Sequence, residues 1–198
     1  MPLLLRKENH LVTPWKNGGG KTTEIAIAPA GATLNNFDWR ISLATIAQSG
    51  AFSAFPGIDR TLTLVEGPGV ALQIDGQPVD LSAQHPTVVF AGEAAVHATV
   101  AGGATTDFNV MSRRSRYRHR FERLSFSGMQ TVVRQSGALL LFLAAGEQLD
   151  CLGQDGTQLS LGQFDGALIG ADDAAEWRLQ TTETATVFVV DLMEIQND

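Results

Sequence analysis

Short runs of alternating residues, closed by glycine and proline turns, recur along the whole chain, and no stretch carries a long helical period. Phe37, Trp39, Ile41 and Leu43 share one parity, while Arg40 and Ser42 point the other way. The connection Gly50-Ala51-Phe52-Ser53-Ala54-Phe55-Pro56-Gly57 is rich in turn residues, and the run from Arg60 reads as a strand that stops at Gly67. Another runs from Val70 to Ile74 and closes at Asp75-Gly76, a strong hairpin signal. Strands this short, at this spacing, predict an all-β fold of the sandwich or barrel kind.

The pattern also repeats. Residues from Leu62 to Met111 resemble those from Leu139 to Met193, with Asp75-Gly76 matching Asp155-Gly156 and Val79 and Leu81 matching Leu159 and Leu161. The offset is about 80 residues, the size of one small β unit and too long for a solenoid repeat. We therefore expect two copies of one architecture: a first barrel over residues 1–112, a basic connection over 113–126, and a second barrel over 127–198. The first copy keeps Arg60, Asp107 and Asn109 where the second is mostly apolar, so a site is expected in the first half alone.

Between the copies, Arg116, Arg118 and Arg120 alternate with Tyr117, His119 and Phe121. That parity makes the arginines the wet face of a strand, which discourages edge pairing. The formal charge of the 198-residue chain is −7, which argues against a nucleic-acid or membrane-surface role. The single cysteine, Cys151, excludes an internal disulfide framework and suits a reducing compartment. Neither a signal-peptide order nor a run of membrane-spanning length is present, so a soluble, cytoplasmic protein is expected.

The stretch Pro14-Trp15-Lys16-Asn17-Gly18-Gly19-Gly20-Lys21-Thr22-Thr23-Glu24 is too elaborate for a plain hairpin, which needs only two turn residues. It gathers amide, amine, hydroxyl and carboxylate groups around a backbone free to approach a ligand. Gly20-Lys21-Thr22 resembles the end of a phosphate-binding loop, but Trp15 stands where that motif needs its first glycine, and a strand ending at Pro29 follows where it needs a helix.

Other chemistry is poorly supported. His10, His85, His97 and His119 are scattered, no two of them two residues apart, which disfavours a metal site. No Gly-x-Ser-x-Gly elbow is present, and Cys151 has no histidine near it in sequence. A carboxylate pair drawn from Glu24, Asp59, Glu66 and Asp107 stays open. What stands out is a set of donors in the first half: Lys16, Asn17, Lys21, Arg40, Arg60 and Asn109. Arginine grips carboxylates in a two-pronged fork, so the chemistry favoured is recognition of a small organic anion in a barrel mouth. The alternative is internal pairing of Arg40 and Arg60 with Asp59, Glu66 or Asp107.

These residues resemble the HutD/Ves family of small bacterial proteins. The likeness rests on the Pro14–Gly20 stretch with Thr22, Glu24 and Ile25, and on Asp38-Trp39-Arg40-Ile41-Ser42-Leu43-Ala44. It continues through Gly50–Ser53, Phe55–Leu62 and Asp107-Phe108-Asn109-Val110-Met111 with Arg113 and Arg114. It covers residues from about 10 to 115. The intact Gly18-Gly19-Gly20 places the chain nearer HutD than Ves. The resemblance implies a bicupin, two tandem cupin-like barrels of double-stranded β-helix (jelly-roll) form. It also implies a link to histidine utilisation, with N-formyl-glutamate and urocanate as ligands.

The expected protein is thus a metal-free, cofactor-free bicupin that binds a small carboxylate metabolite and regulates histidine degradation. No nucleic acid or membrane is expected as a partner; the sequence leaves the oligomeric state open, and a homodimer paired through sheet edges or barrel faces is one option for such barrels. The ligand residues expected are Trp15, Lys16, Asn17, Gly18, Thr22, Glu24, Arg40, Ser42, Arg60, His97, Asp107 and Asn109. Two other readings stay open: an isomerase or hydrolase acting through Glu24 or Asp107, and a protein-interaction module built on the residues from Arg116 to Arg120.

Overall fold

The strands expected from alternation form along the whole chain, and their hydrogen bonding sorts them into three antiparallel sheets. The computed structural model describes residues 1–16 and 18–196; Asn17 lies outside the described residues. The strands are, in order, Leu3–Leu5 (β1), Leu11–Pro14 (β2), Gly20–Ala28 (β3), Trp39–Ile46 (β4), Gly50–Ala51 (β5), Ile58–Glu66 (β6), Val70–Ile74 (β7), Gln77–Leu81 (β8), Thr87–Ala91 (β9), Val96–Thr99 (β10), Thr105–Arg113 (β11), Tyr117–Val133 (β12), Ala138–Ala145 (β13), Gln148–Gly153 (β14), Gln158–Gly162 (β15), Gly166–Ile169 (β16) and Glu176–Glu194 (β17). Among the described residues the one helical element is a short 3-10 turn at Lys7–Asn9. No helix among them is long and apolar enough to cross a membrane.

The chain divides into two compact units. One is Leu11–Arg118, and the other joins Met1–His10 to the residues from His119 onward. The first ten residues, placed with the first barrel on sequence, belong to the second unit because β1 adds to its sheet, pairing Leu3–Leu5 with Gly166–Leu168.

In the first unit a six-stranded sheet of order β2-β3-β4-β11-β6-β9 accompanies a four-stranded sheet of order β5-β10-β7-β8. Leu62, Leu64, Val70, Leu72, Leu81, Phe90, Val96 and Ala98 form an apolar core drawn from both sheets. The hairpin expected at Asp75-Gly76 is present, both residues having positive φ (49° and 78°), which matches the twist of the flanking β7 and β8.

The repeat is visible in the registers. In the first unit Arg60, Leu62 and Leu64 of β6 oppose Met111, Asn109 and Asp107 of β11. In the second, Leu139, Leu141 and Leu143 of β13 oppose Asp191, Val189 and Val187 of β17. Leu139, Val187 and Val189, the counterparts of Arg60, Asp107 and Asn109, are packed in an apolar core with Trp177 and Leu161. One copy of the barrel is therefore filled with hydrocarbon where the other is polar.

The basic segment behaves as its parity predicted: Arg118 and Arg120 are exposed, while Tyr117, His119 and Phe121 are half-buried. Arg114 pairs with Asp59 and Glu93, Arg116 with Asp38, and Arg120 with Glu122 and Asp191. The exposed pairs among these, Arg114 with Asp59 and Glu93 and Arg120 with Glu122, each contribute little, because water screens them.

Candidate functional site

Alternation on the six-stranded sheet aims one parity of β3, β4, β6 and β11 at a single cavity of about 740 Å³ within the first unit. β4 contributes Arg40, Ser42, Ala44 and Ile46, and β11 contributes Asp107, Asn109 and Met111. β3 contributes Thr22, Glu24 and Ile27, and β6 contributes Arg60. Strand pairing sets these in rows: Ile27, Arg40, Met111, Arg60 and Phe90 run across five strands, Glu24, Ser42 and Asn109 make the next row, and Thr22, Ala44 and Asp107 the next. Arg40 and Arg60 thus stand on one row with Met111 between them, their Cα atoms about 10 Å apart at the usual strand spacing.

Two register shifts serve the site. β3 slips against β4 between Glu24 and Ala26, and β11 slips against β6 between Thr106 and Asp107. A bulge re-aims the side chains beside it, and here each one adjoins an acidic residue that lines the cavity.

The two arginines differ sharply. Arg40 Nε donates to Glu24 Oε2 at 2.7 Å, so this guanidinium is already oriented by an ion pair. Arg60 is 5% exposed, and among the described residues its Nε has no hydrogen-bond partner. Three rings surround it instead: its guanidinium carbon lies 4.9 Å from the centroid of Phe90, 5.5 Å from Phe52 and 5.7 Å from Phe55. The ring faces attract the cation but satisfy none of its N–H groups. Burial lowers the Arg60 pKa to about 10, with Asp107 opposing and Arg40 adding to the shift.

Asp107 is fully buried, and among the described residues neither carboxyl oxygen has a hydrogen-bond partner. Burial raises its pKa to about 8 against the attraction of Arg60. The buried Asn109 Oδ1 is likewise unpartnered. Buried polar groups are nearly always paired, so three such groups on neighbouring rows of one cavity mark a place built to receive something polar.

The glycine-rich stretch shapes the wall. Trp15 Nε1 donates to Thr22 Oγ1 at 2.8 Å and Trp15 N to Gly20 O at 2.9 Å, setting the indole at the cavity's edge and Lys16 at its exposed mouth. A Cβ on Gly20 would lie 2.1 Å from the Thr45 carbonyl oxygen and 3.1 Å from the Trp15 ring. Gly20→Ala is therefore expected to cost about 1–3 kcal/mol through forced backbone displacement, read as a lowered Tm. Gly18→Ala meets no atom and is strained only by its φ of +71°, so a loss of about 1 kcal/mol is expected there. Equal Tm values for the two variants would contradict this reading of the loop.

Of the residues expected from sequence, Trp15, Lys16, Thr22, Glu24, Arg40, Ser42, Arg60, Asp107 and Asn109 line this one cavity. Two expectations are corrected. His97 is exposed on β10; Val96 and Ala98 take the buried parity, which leaves the imidazole on the outer face. Gly18 is an exposed turn residue whose N–H donates to Trp15 O at 3.0 Å, and it stands apart from the lining. Lys21 of the donor set is also exposed. The internal pairing foreseen for the arginines occurs for Arg40 alone, and with Glu24 in place of the three acids considered. The aromatic enclosure by Phe52, Phe55 and Phe90 was not read from sequence; its one visible trace was two phenylalanines three apart in a turn-rich connection. Among the described residues no group of three His, Cys, Asp or Glu side chains converges in a metal-binding arrangement.

A sequence model of the family described as HutD matches residues 7–189. An uncharacterised 21.2 kDa protein from the region 3′ of hutC in Pseudomonas putida is 39% identical over 142 residues, covering 72% of this chain and 73% of that one. Protein Ves of Citrobacter koseri is 41% identical over 106 residues, covering 53% and 54%. Among solved structures, HutD from Pseudomonas fluorescens SBW25, determined in a formate condition, has a TM-score of 0.84 at 28% identity and covers 99% of this chain and 100% of its own. A cupin conserved barrel domain protein from Leptotrichia buccalis has a TM-score of 0.58 at 10% identity, covering 87% and 88%, a likeness of fold alone. The two β units are accordingly cupin-like barrels, and the architecture is the bicupin expected.

Proposed function

Because this chain belongs to the HutD family, we propose that its first barrel binds a small carboxylate intermediate of histidine degradation and that this binding regulates histidine utilisation. N-formyl-glutamate and urocanate are the candidate ligands. The observation that carries the reading is Arg60, a cation enclosed by three aromatic rings with a buried N–H that nothing among the described residues accepts. Burying an unsatisfied charged donor is costly, and an incoming carboxylate relieves that cost. In a water-poor cavity such a bond is stronger than at a surface. Trp15 supplies a flat apolar wall, Arg40 a second cation held in place by Glu24, and Asn109 an acceptor for a ligand N–H. Both candidate ligands carry a carboxylate and an N–H group. The P. putida relative from the hutC region supports the pathway assignment.

Titration calorimetry with the two acids tests this, with Trp15 fluorescence as a second readout. Saturable binding of at least one acid at micromolar to low millimolar concentration is expected. The absence of heat, thermal shift and fluorescence change at 10-fold higher concentration would sink the proposal.

One observation favours a second reading, that of a hydrolase or isomerase. A buried carboxyl held protonated at neutral pH, as burial holds Asp107 by raising it to about 8, suits a general acid. Turnover of either acid that disappears in Asp107→Asn would favour it over simple binding.

A further inference from the structure

We propose that Asp107 takes part in the site as the neutral carboxylic acid, donating its hydrogen to the bound anion, so that the cavity accepts a monocarboxylate in preference to a dicarboxylate. The inference rests on the ligand reading above and adds the charge that the ligand must carry.

The geometry is as follows. Asp107 stands on the wall of the cavity, fully buried, with both oxygens unpartnered. Among the described residues it makes no ion pair. An ionised carboxylate in that position would be a buried charge with no side-chain donor on it among the described residues, and burial outweighs the attraction of Arg60 and of its own backbone amide. The neutral acid needs only one acceptor for its O–H, and a ligand oxygen in the cavity supplies it. This is the arrangement by which a buried acid serves as a hydrogen-bond donor to an anion.

Counting charge leads to the same result. The charged groups that line the cavity come from four strands and one loop: Glu24 from β3, Arg40 from β4, Arg60 from β6, Asp107 from β11 and Lys16 at the exposed mouth. Glu24 and Arg40 cancel as an ion pair. Were Asp107 ionised it would cancel Arg60 and leave the buried wall neutral, with a negative oxygen facing any incoming anion. With Asp107 neutral, Arg60 contributes one positive charge and the wall takes one negative charge. Burial pushes Asp107 up to about 8, while Arg60 titrates at about 10, so both hold the required state at neutral pH. Because the carboxyl is raised, it is neutral below about 8 and ionises above, and anion affinity is present below that pH and lost as pH rises through it.

Two measurements test this together. Calorimetry from pH 7 to 9.5 compares urocanate, which has one carboxylate, with N-formyl-glutamate, which has two, on the wild-type chain and on Asp107→Asn. The aspartate carboxyl carbons are followed by NMR from pH 4 to 9.5 without ligand, the Asp107 signal being the one missing in the variant. Urocanate is expected to bind about tenfold or more tightly than N-formyl-glutamate. Its affinity for the wild-type chain is expected to fall about tenfold for each pH unit above 8, and to stay flat for Asp107→Asn, whose amide also donates. An Asp107 signal that titrates below pH 6, a flat wild-type profile, or tighter binding of the dianion overturns the inference and leaves the ligand reading standing. No heat from either acid overturns the ligand reading and the inference with it.

Discussion

Replacing Arg60 with methionine is expected to remove carboxylate binding while leaving the fold intact. The side chain makes no ion pair among the described residues, its Nε is unpartnered, and three phenylalanine rings enclose it. Methionine fills a similar volume and packs well against aromatic rings. In the ligand-free protein the exchange trades a desolvated cation for an apolar group, which is often neutral or stabilising. With ligand present the exchange leaves a buried carboxylate facing hydrocarbon, a loss of about 2–5 kcal/mol, or roughly 30- to several thousand-fold in Kd. Calorimetry and thermal unfolding on the same preparation read both quantities. A Tm that falls by more than about 5 °C with Kd unchanged would mean that Arg60 serves the fold and not the ligand.

The second large effect concerns Asp107 and stability. Burial places its carboxyl at about 8 in the folded chain, against an ordinary value of 3.8 when solvated. Between those pH values the folded chain holds a proton that the unfolded chain has released. Unfolding then loses protons, so stability falls as pH rises from about 4 to about 8, and levels off beyond. Asp107→Asn removes that slope. At pH 9 the variant is expected to exceed the wild-type chain by a few kcal/mol, on the order of 5–15 °C in Tm, and at pH 4.5 the two should nearly coincide. Thermal unfolding against pH checks this, and parallel curves for the two chains would refute the assignment of a neutral, buried acid. The expected gain is the familiar cost of a binding site: polar groups left unsatisfied for the sake of a ligand weaken the empty protein.

Much of the architecture was legible in the residues, because β periodicity is a local property. The parity of Arg40 and Ser42 against Trp39 and Ile41, the Asp75-Gly76 hairpin, and the alternation of the basic run from Arg116 to Arg120 all follow from side chains alternating along a pleated strand. The contrast between the repeats was legible in general form, Arg60, Asp107 and Asn109 in one copy against mostly apolar strands in the other; the registers then identify the counterparts as Leu139, Val187 and Val189.

His97 marks the limit of that logic. Its alternation with Val96 was correct, but alternation leaves open which of the two faces turns inward, and the neighbouring strands settled it in favour of Val96. The glycines were a similar case. Their freedom was read as an approach to ligand, yet Gly20 is small because the Thr45 carbonyl and the Trp15 ring lie against it, and Gly18 serves a turn.

From the order of its residues alone this chain declares two β barrels, one of them polar inside, and a donor-rich N-terminal stretch. Only the tertiary structure pairs Arg40 with Glu24 and encloses Arg60 within Phe52, Phe55 and Phe90. Only there is Asp107 buried with no side-chain hydrogen-bond partner among the described residues. The physical reason is that a strand's pattern is written in neighbouring residues, whereas the charge state and hydrogen bonding of a buried group are decided by side chains brought to it from other strands, through registers and bulges that no single segment encodes.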